Sequence, residues 1–180
     1  MEDRDEMELI RLSCAGDAHA FRALLDHHYL TIYKMEFHLC GHREDAEDIT
    51  QMACIKVSQN IHGFRRESKF TTWLYTIVLN TFRDWADNRA NTGKGRVDID
   101  DVAAKMAGND NPEKAAEVNE QLRKLDALTQ PEREAVILIF GQGYSHKEAA
   151  DMLGVAESTI SWRIHEVRKK LASPEEGAIS

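Results

Sequence analysis

Apolar residues recur every three or four positions along most of this chain, and that period restricts the fold more than any other feature. Such positions line one stripe of a 3.6-residue helix, whereas a half-buried strand needs strict alternation. Interruptions are rare, with only three prolines and ten glycines in 180 residues. The chain therefore reads as all-α. The pattern falls into two helical blocks, and a hydrophobic content of 42% is enough for two small domains or one medium one. The first block runs from about Met7 to Arg89. A stretch from Ala90 to Asn111 carries Gly93, Gly95 and Gly108, the acids Asp98, Asp100 and Asp101, and only weak periodicity. It reads as a flexible linker with a short helix at Val102–Met106. Asn111-Pro112-Glu113 then reads as an N-cap followed by proline at the first helical position. The expected domains are 1–90 and 112–180, joined by a linker over 91–111, with the last nine residues frayed.

The second block has the clearest local signals. Thr129-Gln130-Pro131-Glu132 and Ser145-His146-Lys147-Glu148 are both capping boxes. The helix opened by Ser145 is expected to end near Leu153-Gly154, where glycine supplies a left-handed turn. The helix after it places Ile160, Ile164, Val167 and Leu171 on one face, at spacings of four, three and four. A short helix, a glycine turn and a longer helix with a basic edge form a helix-turn-helix, two small helical domains thus ending in a DNA-reading motif. Opposite the apolar face lie Ser158, Ser161, Trp162, His165, Glu166 and Lys169, with Arg163 and Arg168 on the flanks. Side chains of this kind reach base edges in a major groove while flank cations hold phosphates.

Charge restricts where nucleic acid can touch. The formal net charge is −8, which excludes a simple nucleic-acid-coating protein. From Ser158 to Leu171, however, four basic side chains stand against one acid, Glu166, a local surplus of +3. No stretch approaches the roughly 18 apolar residues that span a bilayer. The opening residues MEDRDEMELIRL are acidic where a signal peptide is basic and then apolar. A cytoplasmic protein without membrane insertion is expected. Cys14, Cys40 and Cys54 are odd in number and widely spaced, and read as reduced thiols. His38, Cys40 and His42, with Cys54 nearby, are zinc-competent residue types. Alternate residues on a helix diverge by about 200°, so no metal is expected. His28 shares the face of Phe21, Leu24, Leu25 and Ile32 and reads as a hydrogen-bonded core histidine. No hydrolytic triad, phosphate loop or catalytic carboxylate pair is recognisable, and no cofactor or enzyme activity is expected.

In the first block, a helix from about Phe70 to Asn88 is expected to bury Phe70, Trp73, Leu74, Ile77, Val78, Thr81 and Trp85. Its other side carries Lys69, Thr72, Thr76, Asn80, Arg83 and Asp87. Just before it, Ile61-His62-Gly63-Phe64-Arg65-Arg66 is a basic, aromatic, glycine-containing loop of a kind that suits exposed bases of single-stranded DNA. The preceding helix, about Glu44 to Asn60, turns Glu44, Asp48, Gln51 and Ile55 outward, a surface fitted to a basic partner helix.

Taken together, these segments resemble extracytoplasmic-function sigma factors of bacterial RNA polymerase, across nearly the whole chain. Gly16-Asp17 with Ala20-Phe21 resembles the family's opening GD…AF. Asp45 to Gln51, DAEDITQ, is similar to its DAEDLVQ segment, and Phe70 to Tyr75 with Asn80 is similar to FxTWLYxIxxN. Leu128 to Pro131 and Glu148 to Val155 resemble its LP and EIAxxLGV. The resemblance implies a factor that brings polymerase core to a promoter and helps to open it, without covalent chemistry. It places Glu44, Asp48, Gln51 and Ile55 against the β′ clamp helices, with the β flap as a further core contact. It places Phe64, Arg65, Arg66, Lys69, Thr72, Thr76, Asn80 and Arg83 on the minus-ten element, partly as single strand. It places Ser158, Ser161, Trp162, Arg163, His165, Glu166, Arg168 and Lys169 on the duplex minus-thirty-five element. An anti-sigma factor is the further partner the family implies. The family often has basic or small residues at the positions of Ser161, Trp162 and Glu166. Two alternatives share these features: a sigma-like decoy for an anti-sigma protein, and a stand-alone helix-turn-helix regulator.

Overall fold

The structure is a computed structural model that describes residues 3–91 and 127–172. The expected linker beyond Asn91, the short helix at Val102–Met106 and the Asn111-Pro112 cap lie outside the described residues. The chain divides into two compact units, Met1–Val97 and Asp98–Ser180. All regular structure among the described residues is helical, as the periodicity requires.

The first unit holds α1 (Asp3–Cys14), α2 (Ala18–Cys40), α3 (Arg43–Asn60) and α4 (Phe70–Asn91), with a single 3₁₀ turn at Ile61–Gly63 after α3. Helix α2 packs against α1, α3 and α4 and is the centre of the unit. Its start is fixed locally. Gly16 turns the chain at φ 94°, and the Asp17 carboxylate accepts the backbone N–H groups of His19 and Ala20 at 2.9 and 3.0 Å. These bonds, chiefly that from Ala20, hold the Asp17 carboxyl below its usual range. The core is built from Leu24, Ile32, Met35, Leu39, Ile49, Leu74 and Leu79, each no more than 2% exposed.

Helix α4 departs from the expected face. Tyr75, Leu79 and Phe82 are buried beside Phe70, Leu74, Val78 and Thr81, whereas Trp73, Ile77 and Trp85 are only half-buried. Because α2 and α3 both cover α4, its buried arc is wider than one stripe and is turned by about one residue. The helix also continues to Asn91, beyond the expected end at Asn88. Arg89 in its last turn reaches Asp45 of α3 at 3.0 Å and lies over the Trp85 ring at 5.0 Å.

In the second unit, α5 (Gln130–Val136) runs into a π-helical turn over Ile137–Gly141. Helices α6 (His146–Leu153) and α7 (Glu157–Ala172) follow. Both capping boxes form. Glu132 accepts the Thr129 backbone N–H at 2.8 Å, and Glu148 accepts that of Ser145 at 2.9 Å. Gly154 closes α6 at φ 67°, in the left-handed region where a side chain would be strained. Ile160, Ile164 and Val167 of α7 are at most 2% exposed and pack α7 against α5 and α6. Leu171, expected on the same seam, is 46% exposed because it falls in the last turn, at the seam's end.

Candidate nucleic-acid interface

Helix α7 turns its polar side outward. With Ile160 and Ile164 fixed in the core, the helical period puts Ser158, Ser161, Trp162 and His165 in solvent, and all four are exposed. Trp162 is 60% exposed, so its indole is not a core side chain. Arg168 and Lys169 are exposed, while Arg163 and Glu166 are half-buried at the edges. Two contacts modify this face. The His146 ring at the start of α6 bonds the Ser161 hydroxyl, Nδ1 to Oγ 2.9 Å, tying the two helices together at this exposed face. Lys170 donates to both oxygens of Glu132 at 2.8 and 2.7 Å, which removes one cation from the local surplus. Burial pushes the Glu132 carboxyl up, but Lys170 and the Thr129 groups outweigh it and leave it below its usual range.

The first unit carries a second cationic and aromatic surface. Arg65, Arg66 and Lys69 are exposed in the loop between the 3₁₀ turn and α4. Arg66 takes φ 59°, the one positive value outside glycine among the described residues. Phe64 is half-buried, its ring 5.6 Å from Phe70 and 5.2 Å from Trp73. It is thus an anchored aromatic at the edge of solvent. On α4, Asn80 is exposed and Thr72, Thr76 and Arg83 are half-buried. The Thr76 hydroxyl donates to the Thr72 carbonyl at 2.8 Å, which occupies its proton within the helix.

Sequence reasoning missed the contribution of α1. Glu6, Met7 and Ile10 of α1 form one wall of a cavity of about 470 Å³. The loop supplies Phe64, Arg66, Ser68 and Lys69, and Phe70 and Thr71 open α4 at its base. Behind the wall, His28 is 6% exposed, and its Nε2–H donates to a Glu6 oxygen at 2.8 Å. The hydrogen-bonded core histidine expected at this position is present. Burial holds the His28 imidazole below its usual range, and the Glu6 carboxylate partly restores it. The His28 ring also lies 5.4 Å from Phe70, which links the pair to the loop's aromatic cluster. Only an acid-rich α1 was readable in the sequence; the pairing of residues 22 positions apart was not.

Helix α3 separates the DAEDITQ segment into two roles. Ala46, Ile49 and Thr50 are buried and Asp45 pairs with Arg89, so these residues build the unit. Glu44, Asp48, Gln51 and Ile55 are exposed along the opposite stripe, with Ile55 at 56%. Met52 joins it at 37%, an apolar neighbour the sequence reading passed over.

The cysteine and histidine cluster is dispersed. Cys14, Cys40 and Cys54 are free thiols. Burial pushes the Cys40 thiol up to about 12, and Cys40 donates to the His42 carbonyl at 3.2 Å. Among the described residues no three metal-competent side chains converge. No helix among them is long and apolar enough to cross a membrane.

A helical unit joined in sequence to a helix-turn-helix unit, each with an exposed cationic surface, is an arrangement suited to a DNA-binding protein. Residues 24–92 match Sigma-70 region 2, and residues 121–171 match Sigma-70, region 4. The chain is 31% identical over 171 residues to the ECF RNA polymerase sigma factor SigM of Mycobacterium tuberculosis, covering 94% of this chain and 84% of the relative. It is 34% identical over 139 residues to the ECF RNA polymerase sigma factor EcfG of Rhodopseudomonas palustris, covering 75% and 74%. The chain belongs to the ECF RNA polymerase sigma factors. Its fold is similar to CnrH, solved in complex with the cytosolic domain of CnrY, with a TM-score of 0.69, 24% identity and coverage of 94% and 96%. It is also similar to the sigma factor RpoE of Bartonella quintana, solved with the anti-sigma factor NepR, with a TM-score of 0.66, 23% identity and coverage of 84% and 93%.

Proposed function

We propose that this sigma factor docks on polymerase core through the α3 stripe of Glu44, Asp48, Gln51 and Ile55. Carboxylates around an exposed isoleucine fit the basic, partly apolar surface of a clamp helix. In this reading the loop from Phe64 to Lys69, with Thr72, Thr76, Asn80 and Arg83 of α4, holds the unpaired minus-ten strand. Helix α7 reads the minus-thirty-five duplex with Ser158, Ser161, Trp162, His165 and Glu166, while Arg163, Arg168 and Lys169 hold phosphates. Residues 1–90 and 112–180 are the two working domains, and 91–111 joins them. The factor acts in the cytoplasm, without catalysis of its own, by spending binding energy on the melted promoter. One structural neighbour, RpoE, was solved in complex with the anti-sigma factor NepR. That supports an anti-sigma protein as the partner that holds this chain inactive.

The observation that carries the proposal is the two-faced character of α7. Ile160 and Ile164 are at most 1% exposed, while Trp162 between them is 60% exposed beside cations. An indole left in water next to cations on a helix-turn-helix suits a face that DNA covers. In-vitro transcription with purified core polymerase on a genomic promoter library tests the whole reading. A defined promoter set, transcribed only when the chain is added, is the expected result. Transcription that the chain never stimulates on any promoter would overturn it.

A further inference from the structure

The cavity between α1 and the loop contains a carboxylate where a nucleic-acid site has most reason to avoid one. Arg66 and Lys69 stand on the loop side and suit phosphates. Ile10, Phe64 and Phe70 supply an apolar and aromatic lining of the sort that stacks on a base. At about 470 Å³ the space accepts one unstacked base with its sugar. Glu6 opposes this arrangement electrostatically. It is nevertheless held in place, because His28, buried behind the wall, bonds one of its oxygens at 2.8 Å. The Glu6 side chain keeps 26% of its surface exposed, so the pair does not seal the carboxylate away from the cavity.

We propose that Glu6, held by His28, is a base-discriminating residue of the minus-ten pocket, accepting a hydrogen bond from the exocyclic amine of a captured base and rejecting thymine. This deepens, and rests on, the reading that the loop captures unpaired minus-ten bases. The chemistry follows from the edges of the bases. Adenine and cytosine each present an amino group, and guanine presents an amine beside a lactam N–H. Thymine presents one imide N–H between two carbonyl oxygens, which a carboxylate repels. One Glu6 oxygen is occupied by His28, which leaves the other to accept from the amine. A glutamine at this position could donate to a thymine carbonyl instead, so Glu6→Gln is the informative change. His28 does not touch the base; it is a positioning residue.

The test uses holoenzyme assembled from the full chain and core polymerase. It selects bound molecules from single-stranded DNA randomised over the minus-ten region. Wild type should exclude thymine at one position by about ten-fold, the size of one good base contact. Glu6→Gln should remove that exclusion while the other positions keep their preferences. Phe64→Ala and Lys69→Ala, assayed alongside, report on the pocket itself. If they change the preference at that position but Glu6→Gln does not, the role of Glu6 is overturned and base capture stands. If neither loop variant changes preference at any position, base capture fails and the inference falls with it. Should Glu6→Gln weaken all sequences equally and lower the melting temperature, Glu6 is only the structural partner of His28.

Discussion

Both carboxyl oxygens of Glu36 in α2 are buried without a hydrogen-bond partner among the described residues, and burial pushes its pKa up to about 9. The native state therefore keeps a proton that the unfolded chain releases near pH 4.5. Between those values the native state binds more protons, so stability falls as pH rises, by about 1.4 kcal/mol per unit from this group. Glu36→Met keeps the length of the side chain and removes the proton. It should stabilise the first unit by about 2–3 kcal/mol at pH 7 and flatten its pH dependence. Urea titrations from pH 5.5 to 8.5 check this in a Trp162→Phe background, where Trp73 and Trp85 report on the first unit alone. A wild-type stability that does not fall across that range would sink the buried-proton assignment. On α7, Trp162 and Glu166 are adjacent on the helix surface, one turn apart. Changing both to alanine should relax selection within a randomised minus-thirty-five element by about five-fold or more, with minus-ten preference unchanged. Arg163→Ala should instead weaken all promoters together, because a flank guanidinium meets phosphate rather than bases. If the Trp162 and Glu166 variant selected the same sequence at equal stringency, this face would not read bases.

Faces that bury one narrow stripe were legible in the sequence, and the wider buried arc of α4 was not. On α7 the period alone separated Ile160, Ile164 and Val167 from Ser158, Ser161, Trp162 and His165, because its buried residues keep to one narrow stripe. The two capping boxes and Gly154 were legible because each is a local device complete within four residues. On α4, Tyr75, Leu79 and Phe82 were misplaced because burial there is decided by α2 and α3, which the local pattern does not contain. The same cause hid the Glu6–His28 pair and Lys170–Glu132, whose partners lie 22 and 38 positions apart. Helix α3 shows what this division permits in a test. Asp48 is exposed and lies opposite the buried Ala46, Ile49, Ala53 and Val57. Asp48→Arg should therefore leave the melting temperature within about 2 °C, since exposed substitutions away from packing usually cost under 0.5 kcal/mol. It should reduce core-polymerase affinity by about ten-fold or more, because like charges meet where opposite ones did. Co-purification and competition against a second sigma factor measure the affinity. A double variant of Asp48 and Gln51 that binds core as wild type does would remove α3 as the docking helix.

At the scale of the whole molecule, the balance of charge decides how the two cationic surfaces could be used on DNA. The chain carries 31 acidic against 23 basic side chains, so its mean field repels a polyanion. Its cations are concentrated, in the first unit at Arg65, Arg66 and Lys69, and in the second along α7. Several of the others are spent on partners within the protein, Arg11 on Glu8, Arg43 on Glu47, Lys56 on Asp84 and Arg89 on Asp45, and on α7 itself Lys170 is spent on Glu132. A non-specific affinity that grows with the number of phosphates neutralised is therefore small for either surface alone. Reading two elements of one promoter adds the contacts only when both units are held at the right separation, and polymerase core is the scaffold that can hold them. The isolated chain should bind duplex promoter weakly, with a dissociation constant above about 1 μM near physiological salt, in the range of non-specific binding. Core polymerase should tighten it by at least a hundred-fold. A stand-alone helix-turn-helix regulator makes the opposite prediction, since its affinity belongs to the protein itself. Fluorescence anisotropy on a labelled promoter duplex, with and without core, at two salt concentrations, separates the two. Nanomolar, sequence-specific binding by the chain alone would mean that its own surfaces suffice, and that polymerase is not the scaffold.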